Sequence, residues 1–296
     1  MAKRSGFVNA QRQPSGEGSL ALLSEHICYW DDSFDEQIHV VGGYLAPQRI
    51  WDEVFSPAWK GVITNAPHPI SEFKSSDCRL RNGEYRSWTG EEVESLTSQL
   101  VSVILGTPLY AGVSVAFIWP GNPDPGSPKA RRWRRQLARE GYRQCIRFCL
   151  AEALSLSDQL PETEKIRLVF DNRGKFFQAM QKSFDEAIEI LGPSLAGKVE
   201  PPIMMDSKQA APLQAADLLA YETYREVIGR MEDLPPSSIL ERLVAGRTPY
   251  VSTCIATPLL AKGATGGQPR SALGQRLFKR GRPLRAPGLW GCVPPT

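Results

Sequence analysis

The hydrophobic pattern of the chain alternates between strand-like and helix-like segments. Two apolar runs, at residues 26–33 and 37–46, are separated by a tight polar turn and therefore predict a β-hairpin. Further strand-like runs cover residues 110–119, 166–171 and 199–206. Between the runs, apolar residues recur at the spacing of an α-helix.

The helical segments alternate with the later strands. They cover residues 47–61, 89 to about 105, 130–156, 175–191 and 212–231. Thr89 and Glu92 have the spacing of a capping box at the start of the second segment. An initial hairpin followed by βα units predicts an α/β domain, with a mixed sheet and helices on its faces.

Both ends of the chain differ in composition from its centre. Residues 1–24 are polar and rich in Gly, Ser and Gln, so we expect a flexible lead. Residues 258–296 contain seven basic residues and no acidic one, although the chain carries a net charge of only +3. We therefore expect a folded domain at 25–232 and a basic Gly/Pro-rich extension at 233–296. The extension either contacts phosphate or another acidic surface, or has no measurable role.

Composition excludes several classes of protein. A chain of 296 residues with 42% hydrophobic residues can form a sizeable core. No apolar run reaches about 18 residues, so no membrane span is expected, and the N-terminus lacks the apolar stretch of a secretory signal. The six cysteines form no CxxC pair and indicate reduced thiols in a cytoplasmic protein. Because there are only three histidines, metal chemistry would depend on oxygen ligands.

One acidic residue occupies a position where apolar residues are usual. Asp217 is the only charged residue of segment 210–221, and on a helical wheel it shares a face with Leu213 and Ala220. Burying an isolated carboxylate costs on the order of several kcal/mol or more. Asp217 therefore needs a metal ion, a proton, or hydrogen bonds from an arginine or from backbone amides.

Other carboxylates lie at the ends of predicted strands. Asp31 and Asp32 end the first strand and point to opposite faces, because side chains alternate along a strand. Asp171 and Asp206 end two later strands, where ligands gather in open α/β sheets. Taken singly, each is also a common turn or cap residue. Two carboxylates about 4 Å apart repel by roughly 4 kcal/mol at a dielectric constant of 20, so a gathered set needs protons or a divalent cation such as Mg²⁺ or Mn²⁺.

Together these motifs resemble domain-of-unknown-function family 3800, which is regarded as ribonuclease H-like and is often proposed to contain nucleases. The family combines D-E-S-G on a first strand, an Asp at the end of a later strand, and a Gln-hydrophobic-Ala-Asp-Leu helix. The similarity covers roughly residues 26–232, about 70% of the chain. The matching segments are WDDS (30–33), FKSSDC (73–78), GEYRSW (83–88), VFDNRG (169–174), MDSK (205–208) and LQAADLLAY (213–221).

The resemblance implies a ribonuclease H-like three-layer fold whose mixed sheet starts from a β-hairpin. It further implies that Asp31, Asp171 and Asp217 bind Mg²⁺ or Mn²⁺ and carry the hydrolysis of phosphodiester bonds in DNA or RNA. Asp77 and Asp206 are further candidate ligands of the metal.

The sequence departs from the family pattern at two positions. Asp32 replaces a glutamate, and Phe34 replaces a glycine. A phenylalanine restricts the turn, and we expect it to hinder the close approach of a ligand. This motivates an alternative, a catalytically silent ribonuclease H-like module that binds nucleic acid or a protein partner. A mobile-element or phage-defence setting suits either function.

Basic residues supply candidate contacts to nucleic acid. One helix carries an arginine at every fourth position, which forms a ridge along one face. The ridge consists of Arg131, Arg135, Arg139, Arg143 and Arg147. It either contacts phosphates, with release of counterions, or is solvated and paired with acidic residues of the fold. Lys74 and Lys208, beside the acidic motifs, either orient a phosphate or balance the acids, or are surface residues.

Overall fold

The computed structural model describes residues 25–35, 37–118, 128–157, 165–171, 177–191, 197–246 and 250–256. For residues 128–138, 154–157, 179, 190–191 and 250–256 only the backbone is described. The expected flexible lead at 1–24 and the basic residues of 258–296 lie outside the described residues.

Six strands form one mixed sheet in the described part of the chain. They are β1 (His26–Phe34), β2 (Ile38–Pro47), β3 (Ala111–Ile118), β4 (Ile166–Asp171), β5 (Ile203–Met205) and β6 (Tyr250–Ala256). Their order across the sheet is β5–β4–β1–β2–β3–β6. Strand β2 is antiparallel to both its neighbours, and the remaining pairs are parallel. The predicted α/β class, with a mixed sheet that starts from a β-hairpin, is therefore confirmed.

Helices connect the strands. They are a π-helical turn (Ile50–Phe55), α1 (Ser56–Thr64), α2 (Ser75–Leu80), a 3-10 turn (Gly83–Tyr85), α3 (Gly90–Gly106), α4 (Pro128–Ser157), α5 (Phe177–Leu191), α6 (Ala211–Met231) and α7 (Ser238–Ala245). Among these described helices, none combines the length and the apolar composition that crossing a membrane requires.

Local signals explain where helix α3 begins. The Thr89 side chain accepts a hydrogen bond from the Glu92 N–H at 3.2 Å, and the Thr89 N–H donates to Glu92 Oε2 at 2.7 Å. The predicted capping box is thus present. Helix α2 and the 3-10 turn lie in a stretch to which the sequence pattern assigns no helix or strand. Elements this short contain too few repeats to show a helical period.

The alternation of side chains along the strands builds two cores. One face of the sheet, with Tyr29 and Tyr44, packs against α1, α3 and α6. The opposite face, with Trp30 and Leu45, packs against α4 and α5. The sheet is therefore the middle one of three layers.

Two described elements after residue 232 belong to the same fold. Helix α7 buries Ile239, Leu240 and Leu243 and packs against α3 and α6, and β6 pairs with β3. The boundary predicted at 232 leaves out this helix and this strand. The helix has 8 residues and the strand has 7. Elements this short show too few repeats of a helical or strand period to be predicted from the sequence.

Candidate functional site

Asp31 lies on the face of the sheet that α6 covers. It is 3% exposed and pairs with Gly42 of β2. Asp32 lies on the opposite face, where its Oδ2 is 3.4 Å from Nε2 of His39. Asp31 and Asp32 therefore lie on opposite faces of the sheet, because successive side chains of a strand alternate between its faces.

Gly42 allows α6 to approach the hairpin closely. A Cβ atom at Gly42 would lie 3.0 Å from the backbone nitrogen of Ala220 and 3.1 Å from its Cα. Asp217 precedes Ala220 by three residues, which is less than one helical turn. The contact places Asp217 over the part of the hairpin that carries Asp31.

Asp171 ends β4 beside Asp31. Trp30 pairs with Phe170 in the parallel register of β1 and β4, so Asp31 and Asp171 follow at the same level of strands about 4.8 Å apart. Side chains at the same level of paired strands point to the same face, so Asp171 lies on the same face as Asp31. The Asp171 side chain is 10% exposed. Strands β1 and β4 and helix α6 thus bring three predicted acids to one region of one face.

A backbone amide engages the carboxylate of Asp217. The N–H of Ser75, the first residue of α2, donates to Asp217 Oδ2 at 2.7 Å. Asp217 is 5% exposed and caps the first turn of α2 from another helix. A backbone partner was one of the alternatives that the sequence left open for this acid.

Lys74 joins the segment before α2 to the segment after β5. Its Nζ donates to Ser207 Oγ at 2.8 Å and lies 3.9 Å from Asp171 Oδ2 and 4.0 Å from Glu72 Oε2. Ser207 donates its backbone N–H to Asp171 Oδ1 at 3.3 Å and its hydroxyl to Glu72 Oε2 at 3.1 Å. The Lys74 ammonium group therefore balances part of the negative charge of the site.

Three residues of this network were not singled out from the sequence. They are Glu72, Ser207 and Gln214, whose side-chain amide donates to the carbonyl of Ser207 at 2.9 Å. Glu72 directly precedes the segment FKSSDC, whereas Ser207 lies within MDSK and Gln214 within LQAADLLAY. Their position in or beside the acidic motifs is the signal that could have identified them.

Three other candidates lie on the surface. Asp77, Asp206 and Lys208 are exposed, whereas Asp31 and Asp217 are buried. Asp206 Oδ1 accepts the N–H of Lys208 at 2.9 Å. Asp206 thus has the turn role that was the alternative for a strand-end acid.

The donor chemistry of the three gathered acids suits a hard cation. Asp31, Asp171 and Asp217 offer only carboxylate oxygens, which Mg²⁺ and Mn²⁺ prefer. In the part of the chain that the structure describes, however, no group of three or more His, Cys, Asp or Glu side chains has the spacing to hold a metal ion. The case for a cation at these acids therefore rests on the type of ligand and not on the spacing of the side chains.

The C-terminal end of the arginine ridge is paired within the fold. Arg143 Nη2 donates to both carboxylate oxygens of Glu186 on α5 at 2.9 Å, and Arg143 Nη1 donates to Glu140 at 3.0 Å. Arg147 also donates to Glu186. The hydrogen bonds from Arg143 and Arg147 lower the pKa of the Glu186 carboxyl, and the bond to Glu186 raises the pKa of Arg143.

In the N-terminal part of the ridge the structure describes one arginine side chain, that of Arg139. Arg139 is exposed, whereas the side chains of Arg131 and Arg135 lie outside the described residues. Contact between these three arginines and nucleic acid stays a prediction.

Phe34 packs on the side of the sheet opposite the gathered acids. Its ring stacks on His39, with centroids 5.0 Å apart and planes at 4°, and His39 contacts Tyr142 of α4 edge-on. The ring of Phe34 is therefore directed away from the face that carries Asp31.

Searches of protein-family models, curated proteins and solved structures found no match to this chain.

Proposed function

We propose that the chain is a Mg²⁺- or Mn²⁺-dependent nuclease with a ribonuclease H-like fold, which hydrolyses phosphodiester bonds of DNA or RNA. One observation carries the proposal: Asp31, Asp171 and Asp217 come from distant parts of the sequence to one region of one face, and two of them are buried. Buried acids need compensation by a partner of opposite charge or by hydrogen bonds. The ends of parallel strands are also where ligands bind in open α/β sheets.

The architecture supports the ribonuclease H-like part of the proposal. The sheet starts from a hairpin, continues with a parallel strand beside β1, and carries helices on both faces. The acids also lie on the kinds of element to which the resemblance assigns them, namely a first strand, a later parallel strand and a helix near the end of the domain.

In this proposal the three acids hold the cation. When bound, Mg²⁺ or Mn²⁺ polarises the phosphodiester and activates water for attack on phosphorus. The Ser75 N–H fixes the Asp217 carboxylate on α6, so that this ligand keeps its orientation. The Lys74 side chain is 25% exposed, and its ammonium group exchanges Asp171 for a phosphate of the substrate.

Asparagine substitutions test the nuclease. Asp171→Asn and Asp217→Asn remove a negative charge but keep the shape of the side chain, so Mn²⁺-dependent cleavage of DNA and RNA is expected to fall by about 100-fold or more. Asp185→Asn, on the exposed surface of α5, is the matched control and is expected to cleave like the wild type. Wild-type cleavage rates in Asp217→Asn would refute the proposal.

A second candidate function is favoured by the contacts that already engage the acids. The Ser75 N–H on Asp217 and the ammonium group of Lys74 near Asp171 compensate these carboxylates in part without a metal ion. This arrangement suits a catalytically silent module that binds nucleic acid or a protein partner.

Thermal unfolding in millimolar Mn²⁺ separates the two functions. If the chain is a nuclease, Mn²⁺ is expected to raise its unfolding temperature. At a Mn²⁺ concentration 100-fold above Kd, the free energy of unfolding rises by about 2.7 kcal/mol. Asp217→Asn is expected to lose this stabilisation. A silent module is expected to show no change. Its binding to labelled DNA or RNA, measured by fluorescence anisotropy, would weaken with salt.

A further inference from the structure

The side-chain amide of Gln214 joins three parts of the chain around the acidic site. Gln214 lies on α6 three residues before Asp217 and is 5% exposed. Its Oε1 accepts the indole N–H of Trp59 at 2.9 Å and the backbone N–H of Phe73 at 3.0 Å. Its Nε2 donates to the carbonyl of Ser207 at 2.9 Å. If Oε1 and Nε2 exchanged places, the amide N–H groups would face the N–H donors of Trp59 and Phe73. Only the observed orientation of the amide therefore makes all three hydrogen bonds.

Two of the segments held by this amide reach the acids. Phe73 lies two residues before Ser75, whose N–H donates to Asp217. Ser207 donates its own N–H to Asp171. The amide of Gln214 is thus bonded to both segments that supply backbone donors to the two carboxylates.

We propose that Gln214 is a positioning residue, which holds segments 72–75 and 206–208 at a fixed separation and so sets the arrangement in which Asp171 and Asp217 bind a divalent cation. The cation-binding part of this inference rests on the proposed nuclease function. The holding of the two segments does not depend on it.

Two further links join the same segments less rigidly. Lys74 Nζ donates to Ser207 Oγ, and Ser207 Oγ donates to Glu72 Oε2. The side chains of Lys74 and Glu72 are partly exposed, and a long side chain loses much rotamer freedom when it is fixed. The bonds of Gln214 lie in the core, where losing one partner leaves a buried polar group unsatisfied. Gln214 therefore sets the distance between segments 72–75 and 206–208, and the flexible side chain of Lys74 adapts to this distance.

Four variants separate the contacts of the amide. Gln214→Glu keeps the size of the side chain and one acceptor but turns a second oxygen toward the Ser207 carbonyl, and Gln214→Leu removes every contact. Trp59→Phe removes only the bond to α1. Gln99→Glu, on the exposed surface of α3, is the matched control for the change of charge.

Hydrogen exchange of the full chain is measured together with Mn²⁺ affinity by calorimetry. Exchange at the amides of Ser75 and Ser207 is expected to be about tenfold faster in both Gln214 variants. Mn²⁺ affinity is expected to fall by about 10–100-fold in the same variants. Gln99→Glu is expected to stay close to the wild type in both measurements. Trp59→Phe leaves the bonds of Gln214 to Phe73 and Ser207 and is expected to change both measurements less than either Gln214 variant.

Three results would overturn all or part of this account. Wild-type exchange in both segments of folded Gln214→Glu would show that the amide does not hold them. Faster exchange with unchanged Mn²⁺ affinity would reduce Gln214 to a structural role. An absence of Mn²⁺ binding by the wild type would overturn the proposed nuclease function, while exchange alone would still decide whether Gln214 holds the segments.

Discussion

Two adjacent glycines in β2 leave room for close contacts, Gly42 with helix α6 and Gly43 with strand β1. Gly42 lies against the backbone of Ala220 on α6, and a Cβ at Gly43 would lie 2.0 Å from the carbonyl oxygen of Tyr29 and 2.1 Å from the ring of Trp30. Neither position accepts a side chain unless the backbone moves. The approach of α6 to the hairpin therefore depends on the absence of a Cβ at Gly42.

We expect Gly42→Ala to lower the free energy of unfolding by about 1–3 kcal/mol, because the new methyl group must push α6 away. Gly61→Ala, inside α1, is the matched control. Among the described residues outside the backbone of its own helix, no atom lies within 4 Å of its added Cβ. Alanine favours a helix, so a gain of about 0.5–1 kcal/mol is expected. Urea unfolding followed by circular dichroism measures both variants, and equal effects would contradict the packing role of Gly42.

At this scale the sequence was informative where one residue differs sharply from its surroundings. A single acid in an apolar run identified Asp217, and the alternation along a strand separated Asp31 from Asp32. Gln214 gave no comparable signal, because a neutral amide is ordinary in a helix and its partner Phe73 lies 141 residues away in the sequence. Contacts of this kind are created only by the fold.

Helices α4 and α5 are joined by charged groups as well as by apolar contacts. Arg143 and Arg147 of α4 both donate to Glu186 of α5, and the apolar sides of the two helices share one core. Part of the predicted arginine ridge thus connects two elements of the protein. The sequence left two alternatives for the ridge, contact with phosphates or pairing within the fold. At the C-terminal end, Arg143 and Arg147 are paired within the fold.

The stabilising effect of Glu186 is expected to depend on pH. The bonds from Arg143 and Arg147 lower the pKa of Glu186 below its usual value of 4.5. Because the folded-state pKa is the lower one, the stabilisation is complete above the usual value and is lost as pH falls through the folded-state pKa. The difference in unfolding free energy between the wild type and Glu186→Gln should therefore be largest at neutral pH and vanish in acid.

A series of urea unfolding curves from neutral to acid pH measures this difference. Glu189→Gln, at an exposed position on the same helix, is the matched control. A difference for Glu186→Gln that stays constant across the series would contradict the ion-pair explanation.

Elements were predictable in proportion to their length. The 17 residues of α3 and the 30 of α4 contain several helical turns, and their period identified them. Helix α2 has six residues and β5 has three, which is too few for a period. The predicted strand 199–206 contains β5 and, at Val199, only an isolated bridge to Ile166.

At the scale of the whole molecule, the C-terminal part of the described chain completes one edge of the sheet. Strand β6 pairs with β3, and α7 packs against α3 and α6. Ser237 caps α7 and also donates its hydroxyl to Glu222 of α6. Residues on both sides of the predicted boundary at 232 thus share hydrogen bonds.

A chain of residues 25–232 is expected to be much less stable than one of residues 25–256. The shorter chain loses the pairing of β6 with β3 and the buried side chains of α7. Burial of Ile239, Leu240 and Leu243 stabilises by roughly 1.5–3 kcal/mol each, which is comparable to the total stability of about 5–15 kcal/mol of a typical domain. Thermal unfolding of both chains measures the loss, and equal unfolding temperatures would support the boundary at 232.

The pair of acids at the end of β1 has a consequence for errors in folding. If the hairpin slipped by one residue, every side chain of β1 would change face, and Asp32 would take the place of Asp31 beneath α6. The slipped chain would keep a carboxylate there, but Tyr29 and Trp30 would exchange cores that differ in shape. Molecules with the slipped register would therefore be less stable, although they would still carry a carboxylate beneath α6.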